Sequence, residues 1–197
     1  MNTKAATLLL LIILIPLSTI SAADRSYTSK YAGEEKREIK SLSDADIEEL
    51  RNGQGWGLAK AAELNGVPGP AHVLEMKHEI DLSSKQIWEI DDLYKKMRKE
   101  AIALGTELIE LERQLNNHFS DGTITYEILD TLLERISEVQ KKLRYVHLAT
   151  HLKTPDILTP AQLALYNKLR GYASDDPCEN IPHGHDPEMW KKHNNCN

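Results

Sequence analysis

His147 and His151 stand four residues apart, a spacing that puts two imidazoles on one side of an α-helix, where they can share one transition-metal ion. Two imidazoles only half-fill a tetrahedral shell. Further donors must come from elsewhere in the chain, and His72, Met76 and His78, interspersed with Glu75 and Glu79, are the nearest by type. Thioether beside imidazole favours copper, whereas imidazole beside carboxylate suits zinc or nickel.

A denser group lies near the C-terminus, where Cys178, Glu179, His183, His185, Asp186, Met189, His193 and Cys196 fall within nineteen residues. His183 and His185 flank a glycine, a flexible joint that can wrap an ion. If Cys178 and Cys196 are oxidised, a disulfide gathers His183, His185, His193 and Met189 into one loop; if they are reduced, their thiolates are the softest ligands in the chain. An oxidising compartment allows the two to pair, which closes a loop and contributes on the order of 3 kcal/mol.

Nothing assembles a catalytic centre. Serine, histidine and aspartate occur, but not in a strand-turn-helix setting, and no glycine-rich phosphate loop has the required spacing. Glu107, Glu110 and Glu112 fall between apolar positions, as on a solvated helix face. The chemistry on offer is binding, and the chain is not expected to be an enzyme.

Residues 1–23 have the order of a secretory signal: Lys4, an apolar run from Ala5 to Ile15, then the small residues Ser21-Ala22-Ala23. The remaining chain would carry 23 basic against 30 acidic residues, a net charge of −7. That balance argues against nucleic acid as a partner, since phosphates demand a basic face. One Phe among many Leu, Ala, Glu, Lys and Ile is the composition of helices packed along a seam, so the fold class is all-α. The chain divides into a polar lead-in over 24–41, a helical domain over 42–172 and a polar tail over 173–197.

Two stretches, Leu82-Ser83-Ser84-Lys85-Gln86-Ile87 and Leu158-Thr159-Pro160-Ala161-Gln162-Leu163, are capping boxes inside hydrophobic staples. Leu42-Ser43-Asp44-Ala45-Asp46-Ile47 is a third copy with Asp in place of Gln. After the first full staple Ile87, Ile90, Tyr94, Met97, Ala101, Leu104, Leu108, Leu111 and Leu115 alternate steps of three and four, predicting a helix from about Ser84 to His118. Ser120-Asp121-Gly122-Thr123 is a turn. Leu129, Leu132, Ile136, Val139, Leu143, Val146 and Thr150 then predict a second long helix, antiparallel to the first because the connection is short. Shorter helices are predicted over Ser43–Arg51, Gly57–Leu64, Pro70 to about Ile80 and Thr159–Arg170, with an irregular tail after Ala173. Trp56, set among Gly53, Gly55 and Gly57, either tucks into the core or is presented by a hinge.

The two staples with a long hairpin between them resemble the paired LTxxQ motifs of the Spy/CpxP family, which includes periplasmic chaperones and heavy-metal-associated sensors. The second motif matches fully; the first has Ser83 for Thr, which keeps the hydroxyl. The resemblance covers about residues 72–172 and implies a helical, hairpin-based, often dimeric cradle in the periplasm. Sensors of the family resemble the chain further in a His-x3-Met or similar pair just before the final motif, where His147 and His151 fall with His in place of Met at the second position, and in histidines before the first, where His72 and His78 fall. The expectation is a periplasmic transition-metal-binding homodimer, taking zinc, copper or nickel and acting in envelope metal or stress response with an envelope signalling protein. The alternative is an ATP-independent chaperone that holds unfolded clients without metal.

Overall fold

The computed structural model describes residues 27–173, 178, 181 and 186–196. The expected signal segment, 1–23, and His183 and His185 lie outside the described residues. The chain separates into a unit up to Gly33 and a second unit from Glu34 onward. In the first, the described residues form a turn in which the Ala32 N–H donates to the Ser29 carbonyl (3.1 Å).

The second unit is all-α among its described residues, and its helices are α1 (Asp44–Arg51), α2 (Lys60–Glu63), α3 (Pro70–Glu75), α4 (Ser84–Ser120), α5 (Tyr126–Lys153), α6 (Pro160–Leu169) and α7 (Pro187–His193). Each expected capping box forms. Ser43, Ser83 and Thr159 accept from the backbone N–H of Asp46, Gln86 and Gln162, whose side chains accept from the cap N–H in return. Each cap is worth about 1 kcal/mol. It also fixes the angle at which a helix leaves its loop.

The two staples also meet. Gln86 Nε2 donates to Gln162 Oε1 (2.8 Å) and to the Ile157 carbonyl (2.8 Å), while Gln162 Nε2 donates to Gln86 Oε1 (3.2 Å) and to the Asp81 carbonyl (3.1 Å). Two helix starts 76 residues apart are thereby clasped to each other.

α4 and α5 form the antiparallel hairpin, and their facing stripes make the main core. Met97, Ala101, Leu108 and Leu111 from α4 are buried with Leu132, Ile136, Val139, Leu143 and Val146 from α5. Ile39, Leu42 and Leu50 cover one flank. α1 crosses α4 at Gly105, where a Cβ would run into the Leu50 carbonyl, so a helix-weakening glycine in mid-helix is what lets the two backbones close up. A second cluster, Val73, Ile80, Leu82, Ile90 and Tyr166, joins α3, the start of α4 and α6.

Three expected elements are corrected. The helix expected over Gly57–Leu64 begins only at Lys60, because Trp56 (φ 42°) and Gly57 (φ 67°) are both left-handed and no side chain caps the start. Trp56 itself is half-buried against the main core, with Nε1 donating to Asp46 Oδ1 (2.8 Å). The helix expected to reach Ile80 stops at Glu75. From Met76 the chain coils through turns, with Asp81 at φ 51° and the Leu82 N–H returning to the Lys77 carbonyl (3.0 Å), and so swings Ile80 and Leu82 into the second cluster. The tail, expected to be irregular, carries α7, started by Asp186 accepting from the Met189 N–H (2.9 Å) with Pro187 at the first helical position.

Cys178 and Cys196 form a disulfide with a Cα–Cα distance of 5.4 Å. Such a bond belongs to an oxidising compartment. No helix among the described residues is long and apolar enough to cross a membrane.

Candidate functional site

His147 and His151 lie on the last turns of α5, one position off the seam, and both are nevertheless buried, at 5% and 8% exposure. What covers His151 is the segment between α2 and α3. Gly66, at φ 75°, ends the α2 turn, with its N–H returning to the Glu63 carbonyl and the Val67 N–H to the Ala62 carbonyl (both 3.0 Å). This ending satisfies α2's last carbonyls and leaves the Val67 carbonyl to be bonded by a side chain.

His151 Nδ1 donates to that carbonyl at 2.7 Å. A carbonyl only accepts, so Nδ1 carries a hydrogen, which leaves Nε2 as the nitrogen able to present a lone pair, the arrangement typical of a metal-bound histidine. Gly69 leaves room for the ring: a Cβ there would stand 2.5 Å from His151 Nε2. His147 Nε2 is buried with no hydrogen-bond partner. Burial, and secondarily the neighbouring His151, push the His147 pKa below its ordinary value.

These imidazoles line a cleft of about 480 Å³ together with His72 and Glu63. Tyr94, Met97 and Thr150 complete its floor, and Gly53, Gly55 and Gly57 border it. Glu63 is 8% exposed although charged. Its Oε1 accepts from Tyr166 Oη (2.7 Å) and Arg170 Nε (3.1 Å), and pairs with His72 Nδ1 (3.2 Å). Its Oε2 is buried without a partner. Burial disfavours the Glu63 carboxylate, but the Tyr166 hydroxyl, His72 and Arg170 outweigh it and hold the pKa below the ordinary carboxylate value. The Tyr166 hydroxyl, buried and donating to that carboxylate, is pushed far up.

Of the residues singled out in the sequence, the fold brings His72, His147 and His151 to one cleft. Met76 packs against the second apolar cluster, and His78 is exposed on the turns after α3; neither lines the cleft. His193 ends α7 and is exposed. With Cys178 and Cys196 oxidised, their thiolates are withdrawn as ligands. Among the described residues, no three His, Cys, Asp or Glu side chains converge closely enough to enclose a metal ion.

Glu63, Tyr166 and Arg170 were not anticipated. The only local signal is the four-residue step from Tyr166 to Arg170, which puts both on one face of α6. Nothing in the sequence ties that face to Glu63, over a hundred residues away. No family model, curated protein or solved structure matches this chain, so its own side chains carry the functional reading.

Proposed function

We propose that the protein binds a transition-metal ion in this cleft, as a periplasmic, Spy/CpxP-type component of an envelope metal or stress response. The observation that carries the reading is a pair of buried atoms on cleft-lining residues, His147 Nε2 and Glu63 Oε2, that have no hydrogen-bond partner. Leaving such atoms bare costs about 1–3 kcal/mol each, and closing the cleft-lining side chains onto a cation would relieve both. His147, His151, His72 and Glu63 would hold it, an imidazole-carboxylate set that suits zinc or nickel better than copper. The ion would supply charge and a common anchor for α2, α3 and α5. The disulfide supports export to an oxidising compartment.

A second, softer site in the tail rests on His183, His185 and His193. Native mass spectrometry with Zn2+, Ni2+ or Cu2+ tests both sites and reports dimerisation in the same spectrum. The His147→Ala/His151→Ala variant should lose one ion per chain, and the His183→Ala/His185→Ala/His193→Ala variant another. Unchanged stoichiometry in the first variant would remove the cleft assignment.

The chaperone reading draws on exposed apolar side chains on the long hairpin, Trp88, Tyr145 and Leu152 at 69%, 70% and 72% exposure. Suppression of client aggregation that persists with chelator, in a protein that takes up no metal, would favour it.

A further inference from the structure

Five donor atoms from four residues crowd one oxygen of Glu63, and none reaches the other. Around Oε1 stand Tyr166 Oη (2.7 Å), Arg170 Nη2 (3.0 Å), Arg170 Nε (3.1 Å), His72 Nδ1 (3.2 Å) and Tyr172 Oη (3.3 Å). Oε2 is buried and bare. A carboxylate in water spreads its donors over about four lone-pair positions on two oxygens. Here α6 and the residues just after it supply nearly all the donors from one side, which leaves Oε2 as the oxygen still able to take a cation.

Arg170 caps the C-terminus of α6, and its guanidinium lies 5.5 Å from the centre of the Tyr172 ring while Nη2 donates to Tyr172 Oη (3.2 Å). Arg170 and Tyr172 therefore hold Glu63 as one unit. They are also the last anchors before the disulfide-bearing tail: the Tyr172 and Ala173 N–H groups both return to the Asn167 carbonyl (2.9 and 3.2 Å), and Cys178 follows five residues later.

We propose that Arg170 is the resident counter-cation of Glu63 and sets the metal affinity of the cleft, so that a divalent cation on Glu63 loosens the grip of Glu63 on Arg170 and Tyr172 and frees the chain at the root of the tail. The inference rests on the cleft taking a divalent cation, as proposed above. Two effects give it the same sign. A carboxylate sharing its charge with a divalent ion is a weaker acceptor at its other oxygen, and a guanidinium held beside that ion is repelled where burial limits screening. Reciprocity then requires that Arg170, in its docked position, weakens metal binding. A residue with a merely structural role would act in the opposite sense, since losing it would disorder the site.

The test uses Zn2+ and the full chain. Titration calorimetry should give Arg170→Gln a Kd for Zn2+ at least about five-fold tighter than wild type, the lower end of ordinary coupling between sites, with Arg170→Lys restoring most of the difference. Independently of any variant, hydrogen exchange on the wild type should speed up at the amides of Tyr172 and Ala173 when Zn2+ is added. Weaker binding in Arg170→Gln, or unchanged exchange at those amides in protein that demonstrably holds Zn2+, overturns the inference and leaves the metal site standing. Absence of Zn2+ binding to the wild type overturns both.

Discussion

Replacing Gly69 with alanine reports on whether the His151 ring is held where the structure puts it. The new Cβ would stand 2.5 Å from Nε2 and 2.7 Å from Cε1 of that ring. Ordinary contact begins near 3.4 Å, so the ring must withdraw by about 1 Å. It cannot do so freely, because Nδ1 is bonded to the Val67 carbonyl at 2.7 Å. Breaking that buried bond costs about 1–3 kcal/mol. The backbone itself is no obstacle, since Gly69 sits at φ −97°, ψ 159°, an extended conformation open to alanine. Stiffening the unfolded chain there returns about 0.4–1 kcal/mol. The net expectation is a loss of about 1–2 kcal/mol. In a His151→Ala background the obstruction is gone, and the same substitution should become neutral or stabilising by a few tenths of a kcal/mol, for a coupling of about 2 kcal/mol. Urea unfolding of the four chains, followed by far-ultraviolet circular dichroism, measures the cycle. A Gly69→Ala effect that is absent, or equal in both backgrounds, would refute the account of how His151 is seated.

Three further outcomes are expected. Gln86→Ala and Gln162→Ala should each destabilise the protein, yet the double variant should cost less than their sum by about 0.5–3 kcal/mol, because each removes the other's partner; strict additivity in urea unfolding would mean that the clasp does not form. Gly105→Ala should destabilise by about 1–3 kcal/mol by forcing α1 off α4, although helix propensity alone predicts a gain of about 1 kcal/mol, so a raised melting temperature would disprove the close crossing. Asp46 is held below its ordinary value by hydrogen bonds from Ser43 and then Trp56, so its contribution is complete above about pH 3.8 and is lost as the pH falls through its lower folded-state pKa. Asp46→Asn should flatten that part of the acid-stability curve, and an identical curve for the variant would sink the assignment.

What the sequence determined by itself is local or periodic. The helix starts at Ser43, Ser83 and Thr159 were legible because a capping box is completed within four residues, and no tertiary contact is needed to form it. The long hairpin was legible because two stretches of unbroken three-four spacing, Ile87 to Leu115 and Leu129 to Thr150, each admit one periodicity, and a short polar turn between them admits one relative direction. The ends of α2 and α3 were less so. There the left-handed residues Trp56 and Asp81 depend on what their neighbours bury; aspartate tolerates that conformation better than most residues, but its type alone does not mark Asp81 for it, and tryptophan is a type that rarely adopts it.

The cleft was half legible. The step from His147 to His151 follows from helix geometry alone, but their burial does not, because one position off a seam is exposed unless another segment covers it. The covering loop, the seating of His151 against Gly69 and the Val67 carbonyl, and the gathering of Tyr166, Arg170 and Tyr172 on Glu63 join residues about 80 to 110 positions apart. The clasp between Gln86 and Gln162 is of the same kind, each glutamine being fully explained by its own cap until the two are seen to share hydrogen bonds. Short-range hydrogen bonding and the 3.6-residue period leave marks on a single chain. The pairing of polar groups across a core is decided only when packing brings them together and burial makes it costly to leave them bare.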